Sequence, residues 1–367
     1  MFYYTTLLAI VCQATSSAHH GKGNYSTWMI SSMISRGDGV LKGTGDASEL
    51  LQAGFTQKAL HAWLSQYPHN KQSDTIASYL RRSVDSVVTT VSNATVSVRT
   101  SPLDRLSNGN NLINLYRSTH NETYRIAFEA LRQSINLQPR NIEGGLWYYT
   151  YANWSYLDGM ASLAPFYALY TELYDAANTT AAPDDLVYQL DLLWDHCHHN
   201  ASGLLVHGYD ESRTAVWANS ITGASPHVWG RSLGWYTMAL VDTLELLPGH
   251  GKYAQAKKHL QARFALLASS IIRAVDSVSG AWWQILDQPG RDGNYIESSG
   301  SAMFAFSLLK GIRLGYLSGV NATQVASRAY EYLLDGFVVK NANGTLGYNG
   351  TVAVCSLNST ATYEVSG

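Results

Sequence analysis

SNGNNLINLYRSTHNETYRIAFEALRQSINLQ, the stretch from Ser107 to Gln138, holds the pattern that decides the fold. Leu112, Leu115 and Tyr116 recur at helical spacing over about 107–118, and Tyr124, Phe128, Leu131 and Ile135 do so from Glu122 to Gln138. Only Thr119, His120 and Asn121 stand between them, so the spacing predicts two helices folded back on one another. The same alternation runs along the chain. Helices are expected over about 25–36, 48–66, 75–92, 105–118, 122–138, 158–175, 184–199, 229–247, 252–277, 297–316 and 322–340. The longest β-like stretch, Gly280 to Leu286, is short, and no Pro-rich or charged linker divides the sequence. Residues 19–367 are therefore expected to form one domain.

The connections differ in kind. Short joints, 118–121 and 249–252, link helices within pairs. Long loops rich in Gly, Trp and polar residues lie between pairs, at 139–157, 200–228 and 277–295. Loops of that length inside a domain are usually functional, and their shared place in the alternation puts them at one end of the assembly. Helix pairs repeating in this way predict an all-α (α/α)6 barrel, a six-hairpin toroid with its cleft at the loop-bearing end. Solenoid repeats recur at shorter periods with visible self-similarity, which is lacking here. The count falls one helix short. After Tyr348 the chain is rich in Gly, Asn, Ser and Thr, so the barrel is expected to lack its last helix and to expose apolar faces of its first and eleventh.

Composition narrows the class. The 367 residues carry 25 basic and 27 acidic side chains, a net charge of −2 that offers no footprint for nucleic acid or an anionic membrane. Charged residues make up 14%, against about 25% in an average soluble protein. Residues 1–18 (MFYYTTLLAIVCQATSSA) read as a signal peptide, with an apolar stretch too short to span a bilayer and small residues at Ser16 and Ala18. Glycosylation sequons occur at Asn24, Asn93, Asn121, Asn153, Asn178, Asn200, Asn321, Asn343, Asn349 and Asn358, where chance would give about three or four. That excess predicts a secreted glycoprotein whose glycans supplement a surface poor in charge. Removal of the signal peptide leaves Cys197 and Cys355, which either pair or are small buried apolar groups.

The residues suited to chemistry concentrate in the long loops and the helix starts beside them. Eight of the ten Trp lie between Trp147 and Trp283, as stacking faces for pyranose rings or as core. Asp158 precedes an apolar helix; an Asp there is ordinarily an N-cap, and the same position at the loop-bearing end suits a general acid. Asp104 likewise precedes a helix, where it caps, pairs with Arg105, or forms a carboxylate pair with Asp158 that raises one pKa. His207 opens a third cluster, followed by Trp229, Arg231 and Trp235, in which Arg231 and Trp235 share a helix face. An Arg fork beside indoles suits a carboxylate-bearing sugar. Neighbouring His196, His198, His199 and His227 match no metal-site spacing, so no metal is expected. Phosphate-binding glycine loops are missing from the sequence.

Several blocks together resemble glycoside hydrolase family 105, the unsaturated rhamnogalacturonyl hydrolases. They are Leu103-Asp104; Gln138-Pro139-Arg140 with Gly144-Gly145; Leu157-Asp158-Gly159 leading to Ala164-Pro165-Phe166; His207-Gly208 with Glu211-Ser212; Ser225-Pro226-His227 through Trp229-Gly230-Arg231 to Gly234-Trp235; and Leu286-Asp287 with Pro289-Gly290-Arg291 through Glu297 to Ala302-Met303-Phe304. The resemblance covers about 102–340. It implies an (α/α)6 barrel acting on an oligosaccharide with a 4,5-unsaturated galacturonosyl residue at its non-reducing end, without cofactor or metal. Asp158 then falls on the general acid/base, Asp104 on the second carboxylate, and His207, Trp229, Arg231 and Trp235 on the substrate pocket. The implied reaction is protonation of a vinyl ether at C4 and addition of water at C5, with one carboxyl group serving as acid and then base. Tyr148-Tyr149 stand where many relatives have His-Lys, and Ala161 and Ser162 replace bulkier residues. The alternatives are an unsaturated glucuronyl hydrolase acting on glycosaminoglycan-type oligosaccharides and an inactive sugar-binding protein.

Overall fold

The Ser107–Gln138 stretch folds as its spacing predicts, and the joint shows how so few residues reverse the chain. The first helix ends at His120, which takes a left-handed conformation and donates its N–H to Tyr116 O at 2.7 Å. Asn121 then caps the second helix by accepting the Thr123 N–H at 3.1 Å. Leu112, Ile113, Tyr124, Phe128, Leu131 and Ile135 are buried, and Tyr116 packs edge-on against Phe128. Leu115 and Tyr116 are half-buried; Ile113 takes the core position instead.

The computed structural model describes residues 24–44, 46, 48–175, 181–353, 355 and 357. The expected signal peptide, Asn178 and Asn358 lie outside the described residues. Twelve α-helices are described: α1 (Tyr25–Arg36), α2 (Glu49–Gln66), α3 (Ser73–Val91), α4 (Ala94–Thr100), α5 (Gly109–Thr119), α6 (Glu122–Leu137), α7 (Met160–Tyr174), α8 (Ala181–Cys197), α9 (Gly230–Leu246), α10 (Ala254–Arg273), α11 (Ser298–Arg313) and α12 (Val320–Gly336). All eleven expected helices are present. The addition is α4, a seven-residue segment that Asn93 separates from α3 by accepting the Val96 N–H at 3.0 Å. The expected 322–340 helix stops at Gly336, and Val338–Lys340 pairs antiparallel with Leu346–Tyr348. No described helix is long and apolar enough to cross a membrane.

The chain divides into two compact units, one from Met1–Gln138 and Val338–Tyr348, the other from Pro139–Phe337 and Asn349–Gly367. In the first, the hairpin of Val338–Lys340 and Leu346–Tyr348 lies on α1. Trp28 Nε1 donates to Gly344 O, Arg36 donates to Leu346 O, and Ser32 Oγ accepts the Leu346 N–H, each at 2.8 Å. Met29, Ile30 and Met33 are thereby fully buried. The expected exposure of the first helix's apolar face is not found, because this hairpin covers it. In the second unit the face of α12 is likewise covered: Ala322, Ala326, Ala329, Leu333 and Leu334 are buried, and only Val320 at its start is strongly exposed.

The second unit shows why its helices alternate. Every residue of α9 from Gly230 to Leu244 is buried, as is every residue of α11 from Ser298 to Gly311. A helix with no polar face is an inner one. The partners α10 and α12 each bury a single stripe, as outer helices do. Two contacts put α9 and α11 side by side and parallel: Arg231 to Ser299 and Asp242 to Lys310, both separated by 68 residues in sequence. Between them Gly234 permits close approach, since a Cβ there would lie 2.5 Å from Met303 Sδ and 2.8 Å from its Cβ.

Candidate active site

Asp158 lies in a one-turn 3-10 helix, Leu157–Gly159, between a short strand, Trp154–Tyr156, and α7. That strand pairs antiparallel with Gly208–Asp210, Tyr156 opposite Gly208. Gly208 is required at this crossing, because a Cβ would lie 2.6 Å from Ser155 O. The ribbon brings His207 beside Asp158, with the Leu157 N–H donating to His207 O at 3.1 Å.

The N-cap role open to Asp158 in the sequence is not the one it takes. The residue at the start of α7 is Gly159, and no side chain caps it. The Asp158 carboxylate instead accepts from Ser232 Oγ at 2.8 Å and faces His207 Nε2 at 3.0 Å. Both contacts fall on Oδ2, and the side chain keeps 15% exposure.

Aromatic rings surround His207, the neighbour of this carboxylate. The buried His207 ring lies against Tyr156 at 5.2 Å and Trp229 at 4.8 Å between centroids. Tyr148 stacks on Tyr156 at 5.1 Å, and Trp217, Trp154 and Tyr151 continue the cluster. Ile285, Val352, Cys355 and Leu357 pack into it as well, so residues beyond Tyr348 that were expected only as a polar tail join the wall of this region. Burial pushes the Cys355 thiol up to about 12, and both Cys355 and Cys197 are free.

Arg231, which the resemblance puts in the substrate pocket, turns its fork toward this protein's own acceptors. It is 4% exposed, and Nε donates to Ser299 Oγ at 2.9 Å. The terminal nitrogens donate to the carbonyls of Val352 and Ala353, with Glu297 at 3.5 Å. Its guanidinium also overlies the Trp229 ring at 5.1 Å. The physical reason is burial: a guanidinium out of water needs acceptors, and the nearest are this protein's own. Glu297 completes the arrangement. It caps α11 through the Gly300 N–H at 2.7 Å and accepts the Val352 N–H at 3.1 Å. Trp235, one turn along α9 from Arg231, is buried.

Other acidic groups are accounted for by structure. Asp210 accepts from the backbone N–H groups of Ser212, Thr214 and Ala215 and from Ser212 Oγ, which organises its loop. Asp287 accepts the Val228 N–H at 2.8 Å and pairs with His227 Nδ1 at 3.0 Å. Burial alone would raise the Asp287 carboxyl, but these bonds outweigh it and hold the group below the usual carboxylate range. Asp104 belongs to the first unit, buried in the 3-10 turn Leu103–Asn108, and does not cap α5, whose start has no side-chain cap. The neighbouring Arg105 is fully buried and donates to Ser101 O, Pro102 O, Ser134 and Gln138; burial pulls it down to about 10, against the opposing charge of Asp104. Among the described residues no group of three or more His, Cys, Asp or Glu is arranged to hold a metal.

Sequence reasoning missed Ser232 and the contact of Val352 with Arg231 and Glu297. Ser232 sat inside the quoted Trp229–Trp235 block, adjacent to Arg231, but its hydroxyl carried no periodic signal. Glu297 was visible only as part of a family block.

Comparisons with known proteins bear on the family and the fold. The sequence model of Glycosyl Hydrolase Family 88 matches residues 46–366. A family 105 glycoside hydrolase from C. acetobutylicum ATCC 824 superposes with a TM-score of 0.77 at 30% identity, over 92% of this chain and 91% of that one. The unsaturated glucuronyl hydrolase of Bacillus sp. GL1 shares the fold at a TM-score of 0.62 and 11% identity, over 95% of this chain and 88% of that one. Protein Atu3128 of Agrobacterium fabrum is 42% identical over 161 residues, 43% of this chain and 67% of that protein. Matched along nearly its whole length by both family and structure, this chain belongs to the family 88/105 glycoside hydrolases and has their six-hairpin fold.

Proposed function

We propose that this protein removes the 4,5-unsaturated galacturonosyl residue from the non-reducing end of rhamnogalacturonan oligosaccharides. The observation that carries the reading is the Asp158 carboxylate, which caps no helix, is partly open, and is held on one oxygen beside Tyr156, His207 and Trp229. The C4=C5 bond of such a sugar is a vinyl ether. Asp158 as a neutral acid protonates C4, leaving an oxocarbenium ion shared between C5 and the ring oxygen. Water adds at C5 and returns its proton to Asp158. The resulting hemiketal opens to a C5 ketone and a C1 hemiacetal, and the hemiacetal collapses with loss of the aglycone. No covalent intermediate is required, unlike a retaining two-carboxylate mechanism.

His207 and Trp229 are proposed to line the sugar subsite, His207 as a hydrogen-bonding ring edge and Trp229 as a stacking face. Arg231 is proposed to serve it through Trp229, whose ring it overlies. Trp235 is proposed as a buried support one turn further on. Asp104 is proposed as the second carboxylate on the family resemblance. The protein is further proposed to act outside the cell as a glycoprotein. The sequon excess supports this, and Asn24, Asn93, Asn121, Asn200, Asn321, Asn343 and Asn349 are all exposed.

The second reading, an unsaturated glucuronyl hydrolase, is favoured by the fold shared with the Bacillus enzyme. Purified protein should be incubated in parallel with rhamnogalacturonan-lyase products and with unsaturated glycosaminoglycan disaccharides, following the ultraviolet band of the conjugated C4=C5 carboxylate. Loss of the band with the first substrate supports the proposal. Loss only with the second replaces it, and binding of either without turnover makes this a sugar-binding protein.

A further inference from the structure

Ser232 is the third residue of α9 and is fully buried. Serine and threonine inside helices commonly turn their hydroxyls back on their own carbonyls, as Thr237 does in this helix by donating to Leu233 O at 2.7 Å. Ser232 stands in the first turn, where the residue four positions earlier is outside the helix. Its Oγ lies 2.8 Å from Asp158 Oδ2 and 3.1 Å from the His207 carbonyl oxygen. A hydroxyl has one hydrogen, so these two acceptors share it.

We propose that Ser232 is a positioning residue for Asp158, fixing which carboxyl oxygen exchanges the proton. This rests on the role proposed above for Asp158. Ser232 Oγ and His207 Nε2 converge on Oδ2, one from α9 and the other from the ribbon loop. With the His207 hydrogen on Nε2, Oδ2 is flanked by two potential donors and is a poor place for a proton. The reacting proton therefore resides on Oδ1, and the carboxyl plane is locked by two contacts from different elements. When Asp158 is ionised, the Ser232 hydrogen turns to Oδ2; when it is neutral, the His207 carbonyl is available to the same hydrogen. The hydroxyl thus satisfies both forms of a group that must cycle between them, at a buried position where an unmet polar atom is costly.

The groups facing Asp158 within this unit are His207 from the ribbon loop, Cys355 from the C-terminal segment, and Arg231 with Glu297 behind them. The Ser232 hydroxyl bonds Asp158 and the His207 carbonyl, so removing it leaves the charged side chains in place. In Ser232→Ala, turnover of the unsaturated substrate at the pH optimum should fall roughly tenfold with KM nearly unchanged, because the carboxyl loses its fixed plane. Loss of a donor to the ionised form should also move the alkaline limb of the kcat profile to higher pH. Ser232→Thr, which keeps the hydroxyl, should return that limb to its wild-type place. Should Ser232→Ala lose its fold, Ser232→Cys, with similar volume and a weak donor, reads the same limb. Wild type and Asp158→Asn are measured alongside. If Asp158→Asn is as active as wild type, the proposed role of Asp158 fails. If Asp158→Asn is inactive while the Ser232 variants keep wild-type kcat and alkaline limb, the positioning role alone is overturned.

Discussion

Helices α9 and α11 meet through a buried charge pair near each end, and the two ends use their charges differently. Toward the α9 C-terminus, Lys310 Nζ bonds Asp242 directly at 2.6 Å, with Glu245 at 2.5 Å. Toward the N-terminus, Arg231 and Glu297 stand 3.5 Å apart, and each makes its shorter bonds to other groups. In α11 the charges suit the helix dipole, Glu297 at the start and Lys310 in the last turn. In α9 both oppose it, with Arg231 in the first turn and Asp242 near the end. Charges set against their own helix are not there to stabilise it. Asp242 is answered by Lys310 and joins the two helices. Arg231 and Glu297 instead hold loop backbone beside Asp158.

The largest difference between the ends should appear in activity. Asp158→Asn keeps shape but cannot cycle a proton, so turnover should fall by at least a thousandfold, on the order expected for loss of an acid/base group. Its melting temperature should stay close to wild type. Near-normal turnover would move the acid elsewhere. The opposite end should respond in the opposite sense. Lys310→Met removes the cation that answers the buried Asp242, and should cost about 3–5 kcal/mol of stability while the folded fraction remains active. Urea unfolding alongside specific activity checks both. Burial would lower the Lys310 pKa, but Asp242 and Glu245 outweigh it and raise the group above 10.5. A raised cation stabilises below its unfolded pKa and loses that stabilisation as pH climbs through the folded value. Wild type should therefore lose this stabilisation only above pH 10.5, and Lys310→Met should lack that alkaline step.

Arg231→Lys tests whether the near end also carries fold. A lysine cannot reach Ser299, Val352, Ala353 and Glu297 with one fork, so about 1–3 kcal/mol of stability should be lost, together with weaker substrate binding. An unchanged melting temperature would return Arg231 to a purely recognitive role. The smallest effect is expected from Asp104→Asn. Its charge opposes the burial that lowers the neighbouring Arg105, so its loss should reduce stability slightly in urea unfolding. Stability equal to wild type would show that Arg105 is held by its own hydrogen-bond acceptors alone.

What the sequence made legible follows from range. The twelve helices came through in all but one case because a 3.6-residue period is local, and α4 was missed because the apolar residues of ATVSVRT alternate at every second position instead of at helical spacing. The end of α12 was overextended because Val338 and Val339 continue an apolar pattern after Gly336 that pairs as a strand. Asp158 was legible from its place at a helix start, yet its Ser232 partner is 74 residues away. The Arg231 contact with Val352 spans 121 residues. Nothing local in either segment announces such a meeting, so the residue types were found and their partners were not.

The hold on Val352 has a consequence for how freely this stretch can change. Glu297 accepts its N–H while Arg231 donates to its carbonyl, so two side chains of opposite charge grasp the main chain of one residue on both sides, as a neighbouring strand would. Such a clasp reads main chain and ignores what the residue bears. Drift among apolar residues at 352 leaves it intact, provided the side chain still packs among the rings, whereas proline, lacking the N–H, abolishes half of it. The segment can thus diverge in wording while its path past Arg231 is preserved, and the constraint on it is recorded in residues 297 and 231 rather than in its own letters.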